Sequence, residues 1–120
     1  MRPKNLSVCE KMFEEISVAE SFVADVDFET FASDEMMKRA VSMSVINVGE
    51  LVKNLDDDFR SNHPDVPWKA IAGFRDVAAH KYQTLRMEDV YATVKGDFPE
   101  LRSMLGSILA ESESPGSQEV

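Results

Sequence analysis

The side chains of this chain best suited to chemistry sit close together. Arg75, Asp76, His80 and Tyr82 fall within eight positions, inside the stretch PWKAIAGFRDVAAHKYQTL that runs from Pro67 to Leu85. A guanidinium presents a fork of donors to phosphate oxygens and can follow charge as it develops on them. An imidazole can take a proton from a ribose 2′-hydroxyl or return one to a leaving oxygen. Together with a phenol, these are the groups a phosphodiester-handling site uses. An internal 2′-hydroxyl nucleophile needs no metal, so the set suits RNA cleavage better than DNA hydrolysis. Lys69, Lys81 and Arg86 lie nearby in sequence and are candidate phosphate contacts. A bland reading also fits the spacing: cations are favoured in a last helical turn, and a phenol there could be a simple surface group.

Helical geometry constrains how these groups meet. Asp76 and His80 are four apart, about 40° in projection, so the carboxylate could hydrogen-bond one imidazole nitrogen and fix its tautomer. Arg75 and His80 are five apart, about 140° around an ideal helix. They converge only if the Arg side chain bends back or the helix loosens near its end.

The rest of the chain must position this cluster. At 120 residues it is the size of one domain, long enough to bury a core without disulfides. Its 13 Lys and Arg against 22 Asp and Glu give a formal charge of −9. That argues against a broad nucleic-acid-binding surface, so any basic site has to be local. One cysteine, Cys9, excludes an internal disulfide and reads as a small core residue. No targeting segment and no apolar run of membrane-spanning length is evident, so a cytoplasmic protein with no membrane association is expected.

Apolar residues recur at intervals of three and four from about Leu6 to Val26, which predicts a first helix. After a break at VDFETFAS, with room for a short helical turn, Ser33-Asp34-Glu35 resembles a cap. A long second helix then follows to about Leu55. Its main stripe is Met37, Val41, Ser44, Val48, Leu51 and Leu55, and a second line, Met36, Ala40, Met43 and Ile46, widens the apolar face. Such a helix has neighbours on two sides, one of which could be a second subunit. Gly49 inside it marks either close approach of another backbone or simple tolerance. DDDFRSNHPDVP reads as a connection, its Asp56-Asp57-Asp58 run as a solvated cap and His63 as an extended surface residue. Pro67 is suited to open the motif helix, which should bury Trp68, Ile71, Ala72, Phe74 or the stem of Arg75, Val77 and Ala78. A last helix opens near Met87, with a kink or restart near Gly96-Asp97 because Pro99 interrupts it. Nothing alternates with period two. The expectation is an all-α, up-and-down bundle of four to five helices over residues 1–110, with 111–120 as a flexible tail.

The motif and its flanks carry a resemblance. Arg75-Asp76-Val77-Ala78-Ala79-His80-Lys81-Tyr82 is similar to the R-x4-H-x-Y motif of HepT-like toxins of the HEPN superfamily. PWKAIAGFRDVAAHKY resembles the family's Pro-Trp, Gly-x-Arg and His-x-Tyr run, and INVGELVKNL its Asn-x-Gly-Glu stretch on the preceding helix. The resemblance spans about residues 6–109. It implies a HEPN-like bundle that dimerises through the long second helix and the motif helix, so that Arg75 of one subunit can serve His80 of the other. It implies a metal-independent endoribonuclease toxin of a type VII-like toxin–antitoxin module, acting without a cofactor. Arg75 and His80 would be the catalytic pair, Asp76 would support His80, and Tyr82 would be the residue a minimal nucleotidyltransferase antitoxin modifies with AMP. Two alternatives stand beside it: a non-catalytic nucleotide- or substrate-binding partner subunit of such a transferase, and a helical dimer with a structural role only.

Overall fold

The computed structural model describes residues 1–113 of the chain, and those residues build a bundle of helices. Helix α1, Pro3–Val23, starts with proline in its first turn, where a missing N–H costs nothing. It turns Val8, Cys9, Met12, Ile16, Ala19 and Val23 inward. Cys9 is fully buried, and that burial pushes its thiol up to about 11, so it stays protonated and packs as a small hydrophobe. Asp25, in a left-handed conformation, turns the chain into α2, Phe28–Ser33. Asp27 caps α2 by accepting from the Thr30 N–H at 2.8 Å.

Helix α3, Glu35–Lys53, is capped by Asp34, whose carboxylate accepts from the Met37 N–H at 3.0 Å. Its expected stripe is the buried one: Val41, Ser44, Val48 and Leu55 are almost fully enclosed, and Met37 and Leu51 half so. The second apolar line is not part of the core. Met36 is 81% exposed and Met43 55%, because α1 and α5 cover the two flanks of α3 and leave the strip between them open.

The stretch expected to be a bare connection contains a helix, α4, Asp57–Asn62. Asp57 and Asp58 occupy its first turn, where the helix dipole favours them, and Phe59 anchors it in the core beside Trp68. His63 is accordingly half-buried rather than a plain surface residue; its ring lies 4.6 Å from that of Phe59 and its carbonyl accepts from the Trp68 indole at 3.0 Å. Helix α5, Trp68–His80, follows, starting one residue later than expected with Pro67 at its cap position. Trp68 and Ala78 are buried as expected, but Val77 is 50% exposed. It lies about 160° from Arg75 on the α5 circumference, on the side away from α3.

A single 3-10 turn, Tyr82–Thr84, leads to α6, Met87–Ala92. The expected interruption near Gly96 is a π-helical turn, Thr93–Asp97, between α6 and α7, Phe98–Glu113. Its widened loop takes up the mismatch that Pro99 would impose on a continuous α-helix. Helix α7 extends three residues into the expected tail, and residues 114–120 lie outside the described residues.

Helix α3 packs between α1 and α5, and α7 packs on α1. Asn47 meets Glu15 while Asp56 meets Asn5, so α1 and α3 are antiparallel. Gly49 lies against Ile71 and Arg75 while Arg39 lies over Tyr82, so α3 and α5 are antiparallel as well. This is the up-and-down order. Among the described residues no helix is long and apolar enough to cross a membrane.

One junction ties the chain's start to the α3–α4 turn. Arg2, Lys4 and Asn5 all reach the Asp56 carboxylate, at 3.3, 3.2 and 3.2 Å. The hydrogen bond from Lys4, followed by that from Asn5, holds the Asp56 carboxyl below its ordinary value. A depressed carboxyl stabilises the fold above the ordinary carboxylate range, and that contribution is lost as pH falls through its folded value. Thermal melts between pH 6 and pH 3 should therefore show a smaller acid-side loss for Asp56→Asn, by a few degrees. Equal losses in the two proteins would remove Asp56 from the acid response.

Candidate active site

The site begins with a missing side chain. A β-carbon on Gly49 would fall on the Cβ of Arg75 and lie 3.0 Å from both the Arg75 Cγ and the Ile71 carbonyl oxygen. Gly49 therefore marks close approach, the first of the two readings its position allowed. α5 comes against α3 at this point.

That approach places Arg75 in a charged network. Its Nε lies 2.9 Å from Glu50 Oε2, and its Nη1 donates to Asp76 Oδ1 at 3.2 Å. Asp76 also accepts from Lys53 Nζ at 2.5 Å. The Arg75 Nε–H is buried and does not point along the Glu50 oxygen, so that contact is an ion pair without a well-formed hydrogen bond. The hydrogen bond from Lys53, then that from Arg75, holds the Asp76 carboxyl below its usual value. Two cations and two carboxylates make the network neutral. The Arg75 side chain is only 23% exposed, so its stem is packed while its charged end stays reachable.

Asp76 thus supports Arg75, and its carboxylate makes no hydrogen bond to His80. His80 stands in the last turn of α5, exposed and without a hydrogen bond or ion pair among the described residues. Within one protomer Arg75 faces α3 and His80 projects about 140° away. Tyr82 follows in the 3-10 turn, half-exposed, with the Arg39 guanidinium 5.2 Å from its ring centre.

The three candidate phosphate contacts separate. Lys69 shares the His80 stripe of α5, eleven residues and about 16 Å away along the axis. Lys81 is exposed at the C-terminal cap of α5, beside His80. Arg86 lies beyond, 3.7 Å from Glu88. Sequence reasoning missed Glu50 and Lys53 as partners of the motif, and Arg39 as the neighbour of Tyr82. Glu50 stands one residue after Gly49, and Arg39 and Lys53 are among several charged positions on α3. Only the antiparallel register of α3 and α5 gives those positions a meaning.

Most of the chain matches known proteins. The family model described as "Ribonuclease HepT-like" matches residues 12–108. The chain is 37% identical over 91 residues to "Putative RNase TTE0752" of Caldanaerobacter subterraneus, covering 76% of this chain and 81% of that one. It is 32% identical over 102 residues to "Probable ribonuclease HepT" of Thermococcus cleftensis, covering 85% and 93%. It is 32% identical over 93 residues to "Putative RNase MJ0125" of Methanocaldococcus jannaschii, covering 78% and 80%. No solved structure matches the chain. With four-fifths of its length matched by one family model, this chain belongs to the HepT-like ribonuclease family.

Proposed function

We propose that this protein is a metal-independent endoribonuclease that cleaves RNA by in-line attack of a ribose 2′-hydroxyl, with Arg75 and His80 as its catalytic pair. The observation that carries the reading is the contrast between the two side chains on α5. Arg75 is seated by Gly49, Glu50 and Asp76, so its guanidinium is held in place before substrate arrives. His80 is exposed and unengaged, free to exchange protons with an incoming ribose or leaving oxygen. Arg75 would hold the scissile phosphate and stabilise charge developing on its oxygens.

The 140° divergence supports a dimer in which Arg75 of one protomer serves His80 of its partner. The open strip of α3 suits that contact. Met36, Met43 and Glu50 fall within about 40° of one another, and Arg39 borders them. Met36 and Met43 are large apolar groups left in water beside the end of α5. Met43→Glu should shift the protein from dimer to monomer in sedimentation and reduce RNA cleavage at least tenfold. A dimer that survives the substitution would move the interface elsewhere.

Family membership also supports the role of toxin in a two-gene module of the cytoplasm, with a minimal nucleotidyltransferase as antitoxin. Tyr82 sits at the exit of the motif helix beside His80, where an attached AMP would obstruct RNA. Transfer of label from ATP to the wild type, and not to Tyr82→Phe, by such a transferase tests that role. The chemistry itself is tested by incubating the purified protein with RNA in excess chelator. The expected product carries a 2′,3′-cyclic phosphate or its 3′-phosphate, and DNA of the same sequence stays intact. Cleavage of both polymers, or cleavage only with added metal, would overturn the mechanism.

A further inference from the structure

An apolar groove of about 380 Å³ runs between α5 and α7, on a side of the molecule that the proposed chemistry does not use. Its floor is α3, at Val45 and Val48, and its walls include Phe74 of α5 and Met104 of α7. It exists because α5 packs on α3 and α7 on α1, and the two outer helices do not close on each other. Phe74 points about 120° away from His80 around α5, so an occupant of the groove leaves the His80 stripe uncovered.

The rim has one sign. Asp65, Asp97 and Glu100 line the groove, no Lys or Arg does, and none of the three makes an ion pair or a side-chain hydrogen bond among the described residues. An apolar trough edged by unpaired carboxylates repels RNA and suits apolar side chains flanked by cations. Residues 114–120 are a poor occupant, because they contain no Lys or Arg. A second copy is also a poor fit. Groove-to-groove contact would set two carboxylate rims against each other, and seating the α3 strip of one copy in the groove of another joins two different surfaces, which does not close a two-fold pair.

We propose that the α5–α7 groove is a docking site for a second protein, through a basic amphipathic segment whose apolar residues enter between Phe74 and Met104 while its Lys or Arg side chains pair with Asp65, Asp97 and Glu100. The proposal is independent of the ribonuclease chemistry, since it concerns residues that chemistry does not touch.

The probe is a pair of labelled 14-residue peptides, each with Leu on one helical face, one with Lys and the other with Glu at the remaining positions. Fluorescence anisotropy should show the Lys peptide binding at least tenfold more tightly than the Glu peptide, with affinity falling as salt rises. The Met104 methyl resonance should shift on binding while those of Met36 and Met43 stay in place. Met104→Arg should abolish binding, and Asp97→Asn with Glu100→Gln should weaken it at least fivefold, with RNA cleavage unchanged in both. Equal binding of the two peptides, absence of binding, or shifts confined to Met36 and Met43 would overturn the proposal. If Met104→Arg instead converts a dimer to monomers, the groove is a contact between copies and the proposal is likewise overturned.

Discussion

Replacing His80 with alanine should lower RNA cleavage by about 100-fold or more while leaving the fold intact. The size follows from the role: a positioned general acid or base contributes roughly 10²–10⁴ in rate. The neutrality of the fold follows from the surroundings. His80 is exposed, in the last turn of α5, and makes no hydrogen bond or ion pair among the described residues. Its loss leaves no cavity and no orphaned partner, and surface changes of this kind stay within about 0.5 kcal/mol. The thermal midpoint should therefore move by no more than about 3 °C. Retention of full activity would remove His80 from the chemistry. A large fall in stability would mean that it is a structural residue.

Gly49→Ala should be the most destabilising change of a single methyl group in this protein. Two effects oppose each other. Alanine is the better helix former, by about 1 kcal/mol in a helix interior. Against that, the added carbon falls on the Arg75 Cβ and crowds the Ile71 carbonyl oxygen. Neither obstacle is the far end of a flexible side chain; one is the root of Arg75 and the other is backbone. Relief requires α5 to move off α3, an overpacking cost of about 1–3 kcal/mol and more where backbone must shift. The clash should win, with a net loss of about 2 kcal/mol measured by urea unfolding. Cleavage should fall too, because the same movement unseats Arg75 from Glu50. A variant as stable as wild type would show that α3 and α5 are less closely packed than the distances indicate.

The bundle was legible because α1, α3 and α7 each keep an apolar spacing of three and four over many turns. Pro99 announced the break between α6 and α7, although its form, a π turn, depends on how the two segments share the core. Helix α4 was hidden because a six-residue helix shows less than two turns of pattern, and its aspartates read as a cap whether or not a helix follows. The catalytic candidates were visible from residue type and spacing along one helix. Their partners were not, because Glu50 and Lys53 lie 25 and 23 residues before the groups they meet and only helix pairing brings them near. The same blindness explains Asp76. Its spacing offers His80 as a neighbour, but Lys53 from the adjoining helix brings a full charge to the carboxylate and captures it together with Arg75.

That arrangement also bears on the substrate. Arg75 is neutralised at rest by Glu50 and Asp76, so RNA phosphate has to compete with two carboxylates on a molecule of charge −9. Weak attraction for RNA in general is the behaviour this charge distribution favours.

Co-expressing Arg75→Ala and His80→Ala chains carrying different tags, purifying the mixed dimer and assaying RNA cleavage in chelator puts the two-protomer site to its most direct test. Each variant alone should be inactive, and the mixed dimer, which retains one complete pairing of guanidinium and imidazole across its interface, should recover about half of the wild-type rate. A mixed dimer as inactive as its parents, beside a wild type that cuts, would contradict the shared site.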